Sequence, residues 1–352
     1  MLHQLRTNSS DTGKAGPELR VVAIGGGTGL STLLKGLKRY VMSPALAMQG
    51  QPTIRELSGV VTVSDDGGSS GRLRKEFNML PPGDVRNCIV ALSEDEALLS
   101  RLFQHRFQKG SGLEGHSFGN LFLAALTSIT GDFAEAVRLS SEILLTRGHI
   151  YPATTSNVEL EALMEDGTRV RGETRITASK GKIRELFLVP PDVGPLPQTL
   201  AAIASADLIT IGPGSLFTSL IPNLLVRGIP EAILESPAVK VFVCNLMTQA
   251  NESLSLTAAD HIRALNDHAG VQLFDYSLIN RKVATPEMKA KYALEGASQI
   301  VVDLEAIETL GVCPVLGDYL EKGEVARHES DRIAHDLMAL MAQAPDRQPI
   351  RS

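Results

Sequence analysis

The stretch from Val21 to Leu34, VVAIGGGTGLSTLL, constrains the fold of this chain more than any other. Apolar residues, two valines and an isoleucine among them, lead into Gly25-Gly26-Gly27-Thr28-Gly29, and Leu30, Leu33, Leu34 and Leu37 then recur at helical spacing. That is the pattern of a buried strand, a glycine turn and a helix start. Glycine lets a backbone turn sharply and approach a ligand closely. The unpaired N–H groups and positive dipole end of a helix start favour a phosphate, and Thr28 adds a hydroxyl. The dinucleotide fingerprint G-x-G-x-x-G is not met, because the sixth position is Leu30 counted from Gly25 and Thr32 counted from Gly27. The turn therefore predicts either a nucleotide or phosphate site or a tight strand-to-helix connection with no ligand.

The run SGVVTV, Ser58 to Val63, reads as a second strand buried on both faces. It ends in SDDGGSSG, Ser64 to Gly71. At the carboxyl end of a parallel strand, Asp65 and Asp66 are placed to accept from ribose hydroxyls or to hold a divalent cation through oxygen. An Asx turn with a helix cap explains the same residues without a ligand. In PPGDVRN, Pro81 to Asn87, Asp84 is predicted as the N-cap of a helix. Helices are also predicted within 94–107 and over 132–145. The loop LEGHSFGN, Leu113 to Asn120, sets His116, Ser117 and Asn120 at a helix entrance, suited to gripping a polar ligand or to capping. His105 reads as a surface or packing residue, and His116 is a candidate general base with no nucleophile beside it in sequence.

Between Asn157 and Val189 the texture changes to alternation, with strands expected from Val158, from Val170 to Ile176 and from Ile183 to Val189. Asp166-Gly167 between alternating runs marks a hairpin. This predicts an antiparallel insertion at about 155–190. A strand over Asp207–Ile211 then runs into Gly212-Pro213-Gly214-Ser215 and a helix from Leu216, repeating the opening pattern. Further strands are expected over Val239–Leu246, Val271–Ile279 and Ile300–Leu304, with helices from Thr257 and along Ile333, Leu337, Leu340 and Met341. Residues 284–296, with Tyr292, read as a polar and mobile stretch. The fold class is thus α/β: a Rossmann-like, mostly parallel sheet with helices on both faces and a small antiparallel β insertion. A single domain over 20–343 lies between tails at 1–19 and 344–352.

A chain of 352 residues that is 43% hydrophobic has ample material for such a core. Aromatic content of 4% and a net charge of −6 argue against nucleic-acid binding. Cys88, Cys244 and Cys313 are far apart and give neither a disulfide framework nor a C-x-x-C metal site, so each is expected as a small buried or half-buried apolar residue. No membrane span or leader is apparent, which predicts a cytoplasmic protein.

The motifs IGGGTG, SDDGGSSG, PPGDVRN, GHSFGN, IGPGS and CNLMTQ occur in order over roughly residues 20–340. Together they resemble the gluconeogenesis factor family, YvcK-like, within the CofD-like group. The resemblance implies a protein that binds UDP-sugars such as UDP-N-acetylglucosamine and is linked to growth on gluconeogenic carbon sources, to cell-wall synthesis and to cell shape. It implies that Gly26, Gly27, Thr28 and Gly29 face the phosphates, that Asp65, Asp66 and Asn120 line the adjacent cleft, and that Gly214 and Ser215 complete the cradle. Tyr292 and Arg327 are the candidates for sugar or uridine contacts. No catalytic residue and no required cofactor is implied. The related CofD enzymes transfer a phospholactyl group to a deazaflavin alcohol with a divalent cation, and that transferase is the alternative, with Mg2+ near Asp65 and Asp66 as its metal. The protein partner is unspecified, and a homo-oligomer stays open.

Overall fold

The structure of the chain is a computed structural model, and it describes residues 16–94, 98–179 and 181–343. The tails expected at either end lie almost wholly outside the described residues, as does Ala97 of the helix expected within 94–107.

Seven strands form an all-parallel sheet, in the order β10-β9-β8-β7-β1-β2-β3. They are β1 (Glu18–Gly25), β2 (Thr53–Val61), β3 (His149–Pro152), β7 (Leu208–Ile211), β8 (Val239–Val243), β9 (Tyr276–Asn280) and β10 (Cys313–Gly317). A separate antiparallel sheet in the order β5-β4-β6 holds β4 (Glu159–Met164), β5 (Arg169–Arg171) and β6 (Ile183–Val189).

The central strands are apolar throughout because both faces are covered. Every residue of β7 is buried, and so are the last five of β1. On one face, α1 (Gly27–Leu37) packs against α2 (Gly83–Leu92) and the C-terminal helix Ser330–Gln343. The helices Phe118–Thr130 and Phe133–Ile143 extend this layer toward β3. On the other face, helix Pro197–Ser205 packs on β1 and β3. Next to it lie Ile229–Glu235 and, farther along, Ala258–Ala269, which begins with the capping box formed by Thr257 and Asp260.

The chain runs outward from β1 through β2 to β3, then returns to place β7 on the other side of β1. That reversal leaves a crevice beyond the carboxyl ends of β1 and β7. Ile24 pairs with Val60 and with Ile211, so the turns after β1, β2 and β7 all open at one edge. The two glycine turns touch there. A Cβ at Gly29 would stand 2.2 Å from the carbonyl oxygen of Pro213, so this position admits no side chain.

Several elements differ from the sequence reading. The second strand begins at Thr53 rather than Ser58, because its exposed Arg55 and half-buried Glu56 break the apolar run. The edge strand β3 has no distinct apolar signature. The stretch Val170–Ile176 is a short strand followed by helix Glu173–Ala178, because Gly172 at φ +98 ends the extended run. Residues 286–293 are helical, whereas Ile300–Leu304 forms no strand. Cys88 and Cys244 are buried and Cys313 is exposed.

Replacement of Gly29 by alanine is expected to destabilise the chain by at least about 2 kcal/mol, because the obstacle is backbone and cannot rotate away. Thermal or denaturant unfolding measures it.

Candidate functional site

The turn after β1 is held by internal bonds before any ligand arrives. Gly26 is extended, Gly27 has φ +60, and the N–H of Leu30 closes the first helical turn onto the carbonyl of Gly26. The N–H of Gly27 donates to the carboxylate of Asp84, in the first turn of α2. No hydrogen bond among the described residues takes the N–H groups of Thr28 and Gly29. These two amides, the Thr28 hydroxyl and the dipole of α1 are therefore what this turn offers an anion.

The turn after β7 is braced from β8. Gly214 donates its N–H to Oδ1 of Asn245 at 3.0 Å and accepts from Nδ2 of the same side chain at 2.7 Å. Its amide is thus engaged by protein, and what it contributes is space. Nε2 of Gln249 donates to the hydroxyl of Ser215 at 2.8 Å, which leaves the Ser215 proton to donate elsewhere.

Beside the turns lies a cleft of about 390 Å³, within the range of small-molecule sites. Gly26 to Gly29, Gly214 and Ser215 form one wall. The other is built from Asn245 to Gln249, from Tyr292 and from Ala326 to His328. Tyr292, on helix Pro286–Ala293, accepts the N–H of Ala326 through its hydroxyl at 3.2 Å, which ties the two segments at the mouth together. Arg327 is the permanently charged cation among the residues lining the cleft. His328 sits against the carbonyl of Cys244, and burial pushes its pKa down to about 4.

Asp65, Asp66 and Asn120 do not line this cleft. Asp65 accepts the N–H of Gly67 at 2.8 Å, an Asx turn. Asp66 accepts from the N–H and hydroxyl of Thr174, at 2.9 and 2.5 Å, and so anchors the insertion. The two carboxylates thus serve different partners. Among the described residues, no group of three or more His, Cys, Asp and Glu could hold a metal ion. Asn120 donates to the Ser69 hydroxyl at 3.1 Å, and Ser69 is 2.9 Å from Nδ1 of His116. The histidine thus has a hydroxyl neighbour that is remote in sequence. Ser117 is the N-cap of Phe118–Thr130. His105 is exposed and packs edge-on to Phe107.

Behind the β1 turn the acids accumulate. Asp84 is not the N-cap of α2, which is Pro82. Its pKa is raised to about 6 by desolvation and by Asp65. Glu173, from the insertion, is raised to about 9 by desolvation and then by Asp65, Asp84 and Asp66. The sequence reading missed Glu173 as a member of this group. The sequence reading likewise gives no role to Asn245, Gln249 or His328. Their positions right after β8 and beside Arg327 were the available signal.

Strand order and the crevice at the reversal point define a doubly wound α/β protein of the kind that takes ligands beyond its strand ends. The family model described as 2-phospho-L-lactate transferase CofD matches residues 21–320. A protein named gluconeogenesis factor from Halalkalibacterium halodurans is 49% identical over 320 residues, covering 90% of this chain and 95% of that one. Another of that name, from Bacillus subtilis, is 46% identical over 330 residues and is covered completely, with 93% of this chain aligned. A crystal structure of a Bacillus halodurans protein matches with a TM-score of 0.86 at 48% identity, covering 91% of this chain and 99% of that one. The chain belongs to the CofD family, among its relatives named gluconeogenesis factor.

Above pH 4.5 an unfolded chain ionises Glu173, whereas the native state retains the proton up to about pH 9, so stability is lost as pH climbs through that window. Glu173→Gln is expected to raise Tm by roughly 2–4 °C at pH 8 and to leave it unchanged at pH 4, read by calorimetry across pH.

Proposed function

We propose that the cleft binds the diphosphate of a UDP-sugar, with UDP-N-acetylglucosamine as the first candidate, and that the protein acts as a cytoplasmic binding regulator rather than a catalyst. The observation that carries this reading is the convergence of α1's two unengaged amides, the Ser215 hydroxyl and Arg327 on one cleft at the sheet's reversal point. A diphosphate needs donors and a cation and no nucleophile, and the cleft offers that set. The relatives' name supports a role in growth on gluconeogenic carbon sources. Roles in cell-wall synthesis and cell shape, through a protein partner that senses the ligand-bound state, belong to the same proposal.

The second reading is a CofD-like transferase, favoured by the family match over residues 21–320. It needs a divalent cation near the acidic loop. Asp65 and Asp66 are each engaged by protein donors, and no group of three or more His, Cys, Asp and Glu among the described residues could hold a metal ion, so no step is derived through a metal.

Calorimetric titration with UDP-N-acetylglucosamine, GDP and NAD, each with and without magnesium, separates the readings. Selective UDP-sugar binding without turnover supports the regulator, and magnesium-dependent GDP binding that ignores the UDP-sugar supports the transferase. Thr28→Ala and Arg327→Ala are expected to weaken UDP-N-acetylglucosamine binding at least about tenfold with little change in Tm, since both side chains are exposed. Asp65→Ala is expected to lower Tm while leaving affinity within about twofold.

A further inference from the structure

The lining of the cleft carries several donors and, at His328, an acceptor. The glycine-turn wall presents donors: the Thr28 and Gly29 amides and the hydroxyls of Thr28 and Ser215. On the other wall Arg327 adds a cation, and His328 beside it adds an acceptor. His328 places Nε2 3.0 Å from the carbonyl of Cys244. A carbonyl can only accept, so Nε2 carries the hydrogen, and in a neutral imidazole Nδ1 is then an acceptor. The depressed pKa of about 4 keeps the ring neutral near pH 7. No hydrogen bond among the described residues reaches Nδ1.

A ligand matched to this lining is anionic where it meets α1 and Arg327 and donates a hydrogen where it meets His328. Nothing lining the cleft comes from β2 or β3, and on that side stand Asp84 and Asp65, which repel a phosphorylated ligand. With its phosphates at α1, the ligand extends toward β8. There Leu246, Met247 and the Tyr292 ring offer apolar surface for a planar heterocycle.

We infer that the cleft discriminates among nucleotide bases by requiring a ring N–H, so that uracil is taken and cytosine refused, with N3–H of uracil donating to Nδ1 of His328. The inference rests on the nucleoside-diphosphate reading above and deepens it. Cytosine carries a lone pair at N3 and would set acceptor against acceptor, leaving both without a hydrogen. His328 is on this account a residue that determines specificity.

The test is titration of the full chain with UDP, CDP and N3-methyl-UDP, and of the His328→Phe variant with the first two. UDP is expected to bind at least about tenfold more tightly than CDP or N3-methyl-UDP. In the variant, UDP is expected to fall to the level of CDP, with CDP within about twofold of its former affinity. Equal binding of all three to the unaltered chain overturns the role of His328 and leaves the diphosphate site standing. Absence of binding by all three overturns both. Should the variant fail to fold, the comparison of the three ligands on the unaltered chain decides alone.

Discussion

The contact on which this structure depends is the approach of two backbone turns, one after β1 and one after β7. Gly29 lies against the Pro213 carbonyl so closely that a Cβ would sit 2.2 Å from the oxygen. A Cβ at Gly26 would meet Thr62 at 2.6 Å and the Asp84 carboxylate at 2.8 Å. The glycine content of both turns therefore answers first to packing between turns. The cleft beside them exists because neither turn carries a side chain that would fill it.

A glycine-rich turn before a helix suggests a full set of backbone donors, and here that set is partly engaged from within. Asp84 takes the amide of Gly27, and Asn245 takes that of Gly214. What remains is narrower and more directional: two amides of α1, the Thr28 hydroxyl, the Ser215 hydroxyl oriented by Gln249, and one guanidinium. Such an arrangement favours a ligand with its charge at a fixed point over one that merely seeks positive potential. The negative charge behind the turn sharpens this, since Asp84 and Asp65 make the β2 side inhospitable to a second anion.

Both glycine turns were legible in the sequence because the strand, turn and helix pattern is local. The parallel sheet was legible for the same reason, from short runs buried on both faces. What escaped depended on contacts between distant residues. Asp84 was visible as a polar residue near a helix start, but its partner Gly27 belongs to another element. Glu173 was hidden because Val170 to Ile176 alternates as a strand does, and only the positive φ of Gly172 and the reach of Asp66 turn it into a helix. Asn245 and Gln249 act on residues 31 and 34 positions away, which no periodicity reveals. Tyr292 and Arg327 were named from resemblance alone, and the fold brings both to the same cleft as Thr28 and Ser215.

The insertion helix Glu173–Ala178 is moored at two points. Asp66, from the loop after β2, holds Thr174, and Asn251, from the segment after β8, donates its amide to the carbonyl of Thr177 at 3.1 Å. Those loops flank the reversal point of the sheet, and Asn251 is two residues from Gln249 in the cleft wall. The helix thus spans the edge of the sheet as a calliper spans a gauge block. Any change in the separation of the two loops must tilt it or break one mooring, and the small antiparallel sheet attached to it is the long arm that would carry such a movement outward.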